Sequence, residues 1–251
     1  LKQPRIRGVT GLMNKIVFRF QFCLLNAVVF LLTALPASTQ DTVLNRYGLW
    51  VIDSKAILQH TVQADPGKQM VSLRKHLPGI VLDLKYSGAD NFMGQPLYPR
   101  ITTTYLRKNA ADALLAINKE LRAKGLGIKV FDAYRLYSVT EKMWEPVKDD
   151  RYAADPKKGS GHNRGIAVDL TLIRLRNKKE LDMGTGFDNF TDTAHHAFQQ
   201  LPGTVLNNRL LLRSVMEKHG FKALDTEWWH YYFIAGKDYE LLDVPFEELG
   251  K

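Results

Sequence analysis

The segment Ile166-Ala-Val-Asp-Leu-Thr-Leu172 alternates as a half-buried strand should, with Ile166, Val168, Leu170 and Leu172 on one face and Ala167, Asp169 and Thr171 on the other. Such a strand needs an apolar layer against one side, and it sets a lone carboxylate on its more polar side. Immediately before it comes Ser160-Gly-His162-Asn-Arg-Gly165, where Gly161 and Gly165 bracket a histidine and permit backbone conformations closed to other residues. Near the end of the chain, Glu227-Trp-Trp-His-Tyr-Tyr-Phe-Ile234 is too rich in aromatic and β-favouring residues for a helix. It reads as a strand closing the run that starts after Gly220.

Together these segments supply three metal donors and a spare carboxylate. A catalytic zinc site takes three protein ligands from His, Asp and Glu, leaves a position for water, and uses a nearby base that does not bind the metal. His162, Asp169 and His230 are the candidate ligands, and Glu227 the candidate base. A regular strand turns Glu227 and His230 to opposite faces, so both reach one centre only if the backbone near Trp228 bulges or Glu227 lies in the preceding loop. Taken singly, each residue has a plainer reading: Asp169 as a solvated sheet residue, Glu227 as a strand-entry carboxylate, His230 as a core imidazole.

The rest of the chain supports an α+β fold. Residues 105–124 read as an amphipathic helix, with Leu106, Ala110, Ala113, Leu114, Ile117 and Leu121 at helical spacing and Gly125 at its end. Residues 208–219 read as a second helix, with Leu211, Leu212, Val215 and Met216 facing inward and Gly220 ending it. Gly127-Ile-Lys-Val-Phe-Asp-Ala133 reads as a strand with Arg135 just beyond its end, where functional side chains often project. A guanidinium there suits an oxyanion or carboxylate, and an ordinary ion pair with one of the chain's acids is the alternative. Helices and strands that do not alternate regularly argue α+β.

Charge and the leader set further bounds. The formal net charge is +9, but Lys2, Arg5, Arg7, Lys15 and Arg19 precede residue 40 without any acid, leaving 30 basic against 26 acidic residues. No nucleic-acid-binding stripe remains. Met13-Asn-Lys15-Ile-Val-Phe-Arg19 and the apolar residues 22–35 have the layout of a secretory signal, whose core runs roughly 7 to 15 residues. Residues 1–40 are therefore read as an upstream extension and signal peptide (about 13–38), and 41–251 as a single catalytic domain with no stable membrane insertion once the signal is removed. The only cysteine, Cys23, falls in the leader. A thiol-free remainder fits an oxidising compartment, periplasmic or secreted.

From about Asp83 to Phe246 the chain resembles the zinc-dependent D-alanyl-D-alanine dipeptidases of the VanX type, within the peptidoglycan metallopeptidases. The resemblance runs through Leu84-Lys-Tyr86, Asp90-Asn-Phe-Met-Gly94, Asp132-Ala-Tyr-Arg135, Asp169-Leu-Thr-Leu172, Met183-Gly-Thr-Gly-Phe-Asp188, His195-His196 and Arg213-Ser-Val-Met-Glu217. It implies a small central antiparallel sheet flanked by helices, with one zinc per chain on His162, Asp169 and His230. It also implies Glu227 as base, Arg135 stabilising the transition state, Asp188 and Tyr86 holding the substrate ammonium, and Ser160 beside the bound dipeptide. Without the resemblance, Asp188 is a turn residue and Tyr86 a partly buried strand aromatic. Gly161 stands where the family often has a second Ser, and Leu136 where Pro is usual. The leader favours cell-wall peptide turnover. The rivals are a periplasmic D,D-carboxypeptidase or endopeptidase with the same ligands, and a non-catalytic zinc-stabilised peptidoglycan-binding module.

Overall fold

The alternating segment around Asp169 forms the middle strand of a five-stranded sheet, and the other elements take their places around it. The computed structural model describes residues 44–250, so the expected signal segment lies outside the described residues. In chain order come β1 (Val51–Ile52), α1 (Lys55–Ala64), β2 (Met70–Ser72), α2 (Leu73–His76), β3 (Val81–Leu82), β4 (Tyr105–Arg107) and α3 (Lys108–Ala123). They are followed by β5 (Leu126–Asp132), α4 (Tyr137–Val147), β6 (Ala167–Arg174), α5 (Gly203–Lys218), β7 (Phe221–Leu224), β8 (Glu227–Phe233), β9 (Leu241–Leu242) and α6 (Phe246–Leu249). The architecture is α+β, with the main sheet ordered β3-β5-β6-β8-β7. Its pairings are antiparallel except at one edge, where β3 runs parallel to β5, so the sheet is mixed rather than wholly antiparallel.

The even face of β6, with Val168, Leu170 and Leu172, packs into the main core beside Leu114, Ile117 and Leu121 of α3 and Leu212, Val215 and Met216 of α5. The odd face is also covered. Ala167, Asp169 and Thr171 are buried, so the strand is enclosed on both sides rather than half-solvated as its alternation suggests. A second apolar cluster, including Tyr86, Tyr98, Tyr134, Met143 and Val244, occupies another part of the fold.

Two helix boundaries differ from the sequence pattern. Residues 105–107 leave the expected helix to form β4 against β2, and α3 starts only at Lys108. Pairing overrides periodicity here because Tyr105, Leu106 and Arg107 are all buried, on both sides of the strand. Helix α5 starts at Gly203, five residues before the expected 208, with Pro202 at its N-cap, and it ends as expected before Gly220 (φ +85°). Among the described residues no helix is long and apolar enough to cross a membrane.

Candidate active site

Strand register builds the centre of the site. Asp169 on β6 lies opposite Asp132 on β5 and His230 on β8, so three polar side chains form one row across three strands. Each outer member depends on an irregularity. On β5 the register slips between Val130 and Asp132, so that Asp132 rather than Phe131 faces Asp169. On β8, Ala223 pairs with Tyr231 but the next residue, Leu224, pairs with Glu227, so the backbone through Trp228 and Trp229 bows away from β7. That bulge brings Glu227 and His230 to one side, with Glu227 Oε2 3.9 Å from His230 Nδ1.

His162 reaches the row from the loop before β6. Gly165 turns the chain at φ +69°, where an added Cβ would lie 2.9 Å from Met70 Sδ and 3.3 Å from Arg107 Cγ. The buried Asn163 side chain ties this loop to the Arg135 segment by donating to the carbonyls of Arg135 (2.9 Å) and Leu136 (3.2 Å) and to Thr140 Oγ1 (2.9 Å). His162 Nδ1 lies 2.6 Å from the Ala133 carbonyl, which only accepts, so Nδ1 carries a proton and Nε2 is the nitrogen turned toward Asp169 and His230. Nε2 is 3.2 Å from His230 Nδ1 and 3.4 Å from Asp169 Oδ2, and His230 Nδ1 is 2.9 Å from Asp169 Oδ1.

These donors suit a small divalent cation. Bonds of about 2.0–2.2 Å at tetrahedral angles put ligand atoms about 3.3–3.6 Å apart, close to the spacings found here. The second nitrogen of His162 is fixed by a backbone carbonyl, as metal-binding histidines usually are. Acidic groups gather here: Asp132 and Asp169 lie 2.7 and 3.8 Å from the Arg135 guanidinium, and Asp188 and Glu227 line the same cavity as Asp169. Burial works against the Asp169 charge, but His162 and His230 outweigh it and hold the carboxyl well below the usual range.

Arg135 makes the ion pair that is the plainer of its two sequence readings, and it lines the cavity beside the donor cluster. Its Nε and Nη2 donate to Asp132 Oδ2 at 2.9 and 2.7 Å, its Nη2 is 3.8 Å from Asp169 Oδ2, and the guanidinium lies over the Tyr86 ring, 4.9 Å from the centroid. Burial opposes its charge; Asp132, Tyr86 and Asp169 more than restore it. Asp132 also accepts from Tyr98 Oη (2.8 Å).

The remaining candidates line a cavity of about 150 Å³ that also contains the donor cluster. Tyr86 sits on a single 3₁₀ turn, Lys85–Ser87, rather than on a strand, and donates its hydroxyl to Asp188 Oδ1 at 2.9 Å. Asp188 does occupy a turn, at φ +57°, and its Oδ2 accepts from the Phe92 N–H at 3.2 Å. Burial pushes its carboxyl up to about 7, against the lowering effect of those two hydrogen bonds. Burial likewise pushes Glu227 up to about 7; His230 opposes this, while Asp169 and Asp188 add to it. Ser160 Oγ accepts from the Asn163 N–H at 3.2 Å, leaving its own hydrogen free to point into the cavity.

Sequence reasoning did not single out Asp132, Asn163 or Tyr98. Asp132 had one available signal, its place three residues before Arg135 at a strand end. His195 lies at the edge of a smaller neighbouring cavity that also touches Glu227. His196 turns inward, edge-on to Tyr231, and burial lowers its pKa to about 4.

A family model described as D-ala-D-ala dipeptidase matches residues 67–247. A D-alanyl-D-alanine dipeptidase of Escherichia coli (strain K12) is 35% identical over 178 residues, covering 71% of this chain and 91% of that protein. One from Enterococcus faecium is 33% identical, over 61% of this chain and 85% of its own length. Among solved structures, the LdcB LD-carboxypeptidase superposes with a TM-score of 0.40 at 18% identity, over 67% of this chain and 71% of that one.

The Asp132–Arg135 pair generates a stability prediction. Removing one partner of a buried ion pair typically costs about 3–5 kcal/mol, because the other charge is left uncompensated. Asp132→Asn should fall near the lower end of that range in urea unfolding, since Asp169 remains 3.8 Å from the guanidinium. Combining it with Arg135→Met should recover part of the loss. Strictly additive losses in the double-mutant cycle would show that the two side chains do not act as a pair.

Proposed function

This chain belongs to the D-Ala-D-Ala dipeptidase family of peptidases, and on that premise we propose that it hydrolyses free D-alanyl-D-alanine with zinc held by His162, Asp169 and His230. The observation that carries this reading is the meeting, in one small cavity, of a three-donor cluster, the Arg135 guanidinium and the carboxyl groups of Glu227 and Asp188. Zinc bound there supplies Lewis acidity, lowering the pKa of a water toward about 7.

The chain's own residues take the other roles. Glu227 accepts a proton from the attacking water and delivers one to the leaving amine as the peptide bond breaks, so one water and one dipeptide become two alanines. Arg135, held by Asp132, opposes the negative charge growing on the carbonyl oxygen; one such donor is typically worth about 10²- to 10³-fold in rate. Asp188 receives the substrate ammonium, with a lone pair of Tyr86 Oη beside it. Ser160 turns its hydroxyl hydrogen to the bound dipeptide.

Two measurements separate metal binding from chemistry. The purified protein should contain about one zinc per chain and lose activity to chelators. Glu227→Ala should keep the zinc while losing most turnover, because only proton transfer is removed. Loss of zinc in proportion to the substitution would make Glu227 a ligand instead.

Blocking the substrate amine tests the substrate class. It removes a charge-assisted hydrogen bond worth about 1.5–3 kcal/mol and leaves the buried Asp188 carboxylate without its cation, holding only the Tyr86 and Phe92 hydrogen bonds. N-acetyl-D-alanyl-D-alanine should therefore be cleaved at least about 10²-fold less efficiently than the free dipeptide, each 1.36 kcal/mol being a factor of ten. Asp188→Ala should narrow that gap. Equal cleavage of the two compounds by the unaltered enzyme would point to an open-cleft carboxypeptidase.

The reading extends to location. The basic segment at 13–19 and the apolar run at 22–35 support export and action on cell-wall peptides outside the cytoplasm. Protein isolated from native cells should begin between Ser38 and Asp41, and an intact Met13 in the cytoplasmic fraction would refute this.

A further inference from the structure

Two rings from separate segments bound one side of the catalytic cavity. Tyr152, beyond α4, and Phe190, two residues past Asp188, lie with centroids 5.0 Å apart. Phe92 packs edge-on to Phe190 at 5.3 Å and to Tyr86 at 6.1 Å, so a continuous file of rings runs from beneath Arg135 to Tyr152. The neighbouring Arg151 is gripped by both carboxylate oxygens of Asp149 and lies over the Tyr152 ring, 5.2 Å from its centroid. Behind the rings is a second cavity, of about 60 Å³. Arg151, Tyr152, Phe190 and Glu227 line both cavities, and Asp192, His195 and Thr226 complete the outer one. The Tyr152–Phe190 pair is therefore a wall shared by two spaces.

We propose that this aromatic pair is a partition that holds the catalytic cavity to dipeptide length, and that the pocket behind it is a latent subsite for the residue preceding a D-alanyl-D-alanine end. The inference rests on the dipeptidase reading given above, in which the substrate amine lies at Asp188. Asp188 Oδ2 accepts from the Phe92 N–H at 3.2 Å and the Phe92 ring packs on Phe190, so the ring file borders the place assigned to that amine. The outer pocket offers an added residue polar partners in Asp192 and His195 without withdrawing it from Glu227, which borders both spaces. Side-chain rings, rather than backbone hydrogen bonds, make the wall. Truncating one of them opens it without breaking a strand.

The test compares kcat/KM for D-alanyl-D-alanine with that for L-alanyl-D-alanyl-D-alanine in the zinc-loaded full chain. Phe190→Ala should raise the tripeptide-to-dipeptide ratio at least about tenfold, the scale on which a small steric change in a pocket alters selectivity. Tyr152→Ala, which removes the opposite half of the wall, should shift the ratio the same way and keeps the test open if Phe190→Ala fails to fold. His195→Trp added to either variant should refill the outer pocket and return the ratio toward that of the unaltered enzyme. An unchanged ratio in folded variants that still cleave the dipeptide overturns the partition. A raised ratio that His195→Trp leaves untouched overturns the subsite. Failure of the unaltered, zinc-loaded enzyme to cleave the dipeptide would overturn the dipeptidase reading itself, and that result is visible before any variant is made.

Discussion

The Asp169 carboxylate carries a charge on a strand buried on both faces, and the site is arranged around keeping that charge compensated. An isolated ion in such surroundings costs several kcal/mol, so partners have to come to it. They arrive from three directions: His230 across the β6–β8 pairing, His162 from the loop preceding the strand, and Arg135 from beyond β5. Two of them have anchors of their own. Asp132 fixes Arg135, the Ala133 carbonyl fixes His162, and Asn163 joins the two loops that carry them. The geometry that suits a metal is thus built from hydrogen bonds belonging to the protein.

The two register slips explain why a sheet can support this cluster. An unbroken β5 would turn Phe131, a core residue, toward Asp169, and an unbroken β8 would separate Glu227 from His230. Bulges commonly re-aim side chains beside active sites, at the cost of local ladder hydrogen bonds. Compensation on β8 comes from its aromatic residues. Trp228 and Trp229 are buried where the strand bows, and the Trp228 indole N–H donates to Thr185 Oγ1 at 2.8 Å. The same aromatic richness that marks the segment as a strand also anchors its distortion.

Much of this was legible in the chain because the informative residues are close in sequence. Gly161, His162 and Gly165 lie within five positions of one another, Asp169 follows in an alternating strand, and Glu227 and His230 share one segment. That Glu227 and His230 could serve one centre only with a bulge near Trp228 or with Glu227 in the preceding loop followed from the period of a strand, and the structure has the bulge. The roles of Asp132 and Asn163 were not legible, since they depend on which strand lies beside β6 and which loop crosses Arg135, although Asp132 stands in a segment the sequence did mark. The start of α3 was misread for a related reason. Residues 105–107 have helical spacing, but their pairing with residues 70–72 is a long-range fact that periodicity does not carry. Tyr152 and Phe190 lie in segments without regular structure, so nothing local announces that their rings meet.

Packing fixes residue 161 as a glycine. The Gly161 carbonyl accepts from both the Ile166 and Ala167 N–H groups, at 3.0 and 3.1 Å, so the loop folds tightly back onto the start of β6. A Cβ at Gly161 would come within 2.9 Å of Ala167 Cβ and 3.5 Å of Tyr232 Cβ. A serine there would have to displace either β6 or the loop that aims His162. Ala167 is already the smallest side chain that a strand position of this kind can carry, and only a glycine would relieve the clash, with weaker strand packing as the consequence. The lack of a side chain at 161 is therefore coupled to the position of a candidate ligand. With Gly161 in place, Ser160 is the hydroxyl-bearing residue immediately before the His162 turn, and its hydrogen bond from Asn163 ties it to the network that holds His162 and Arg135.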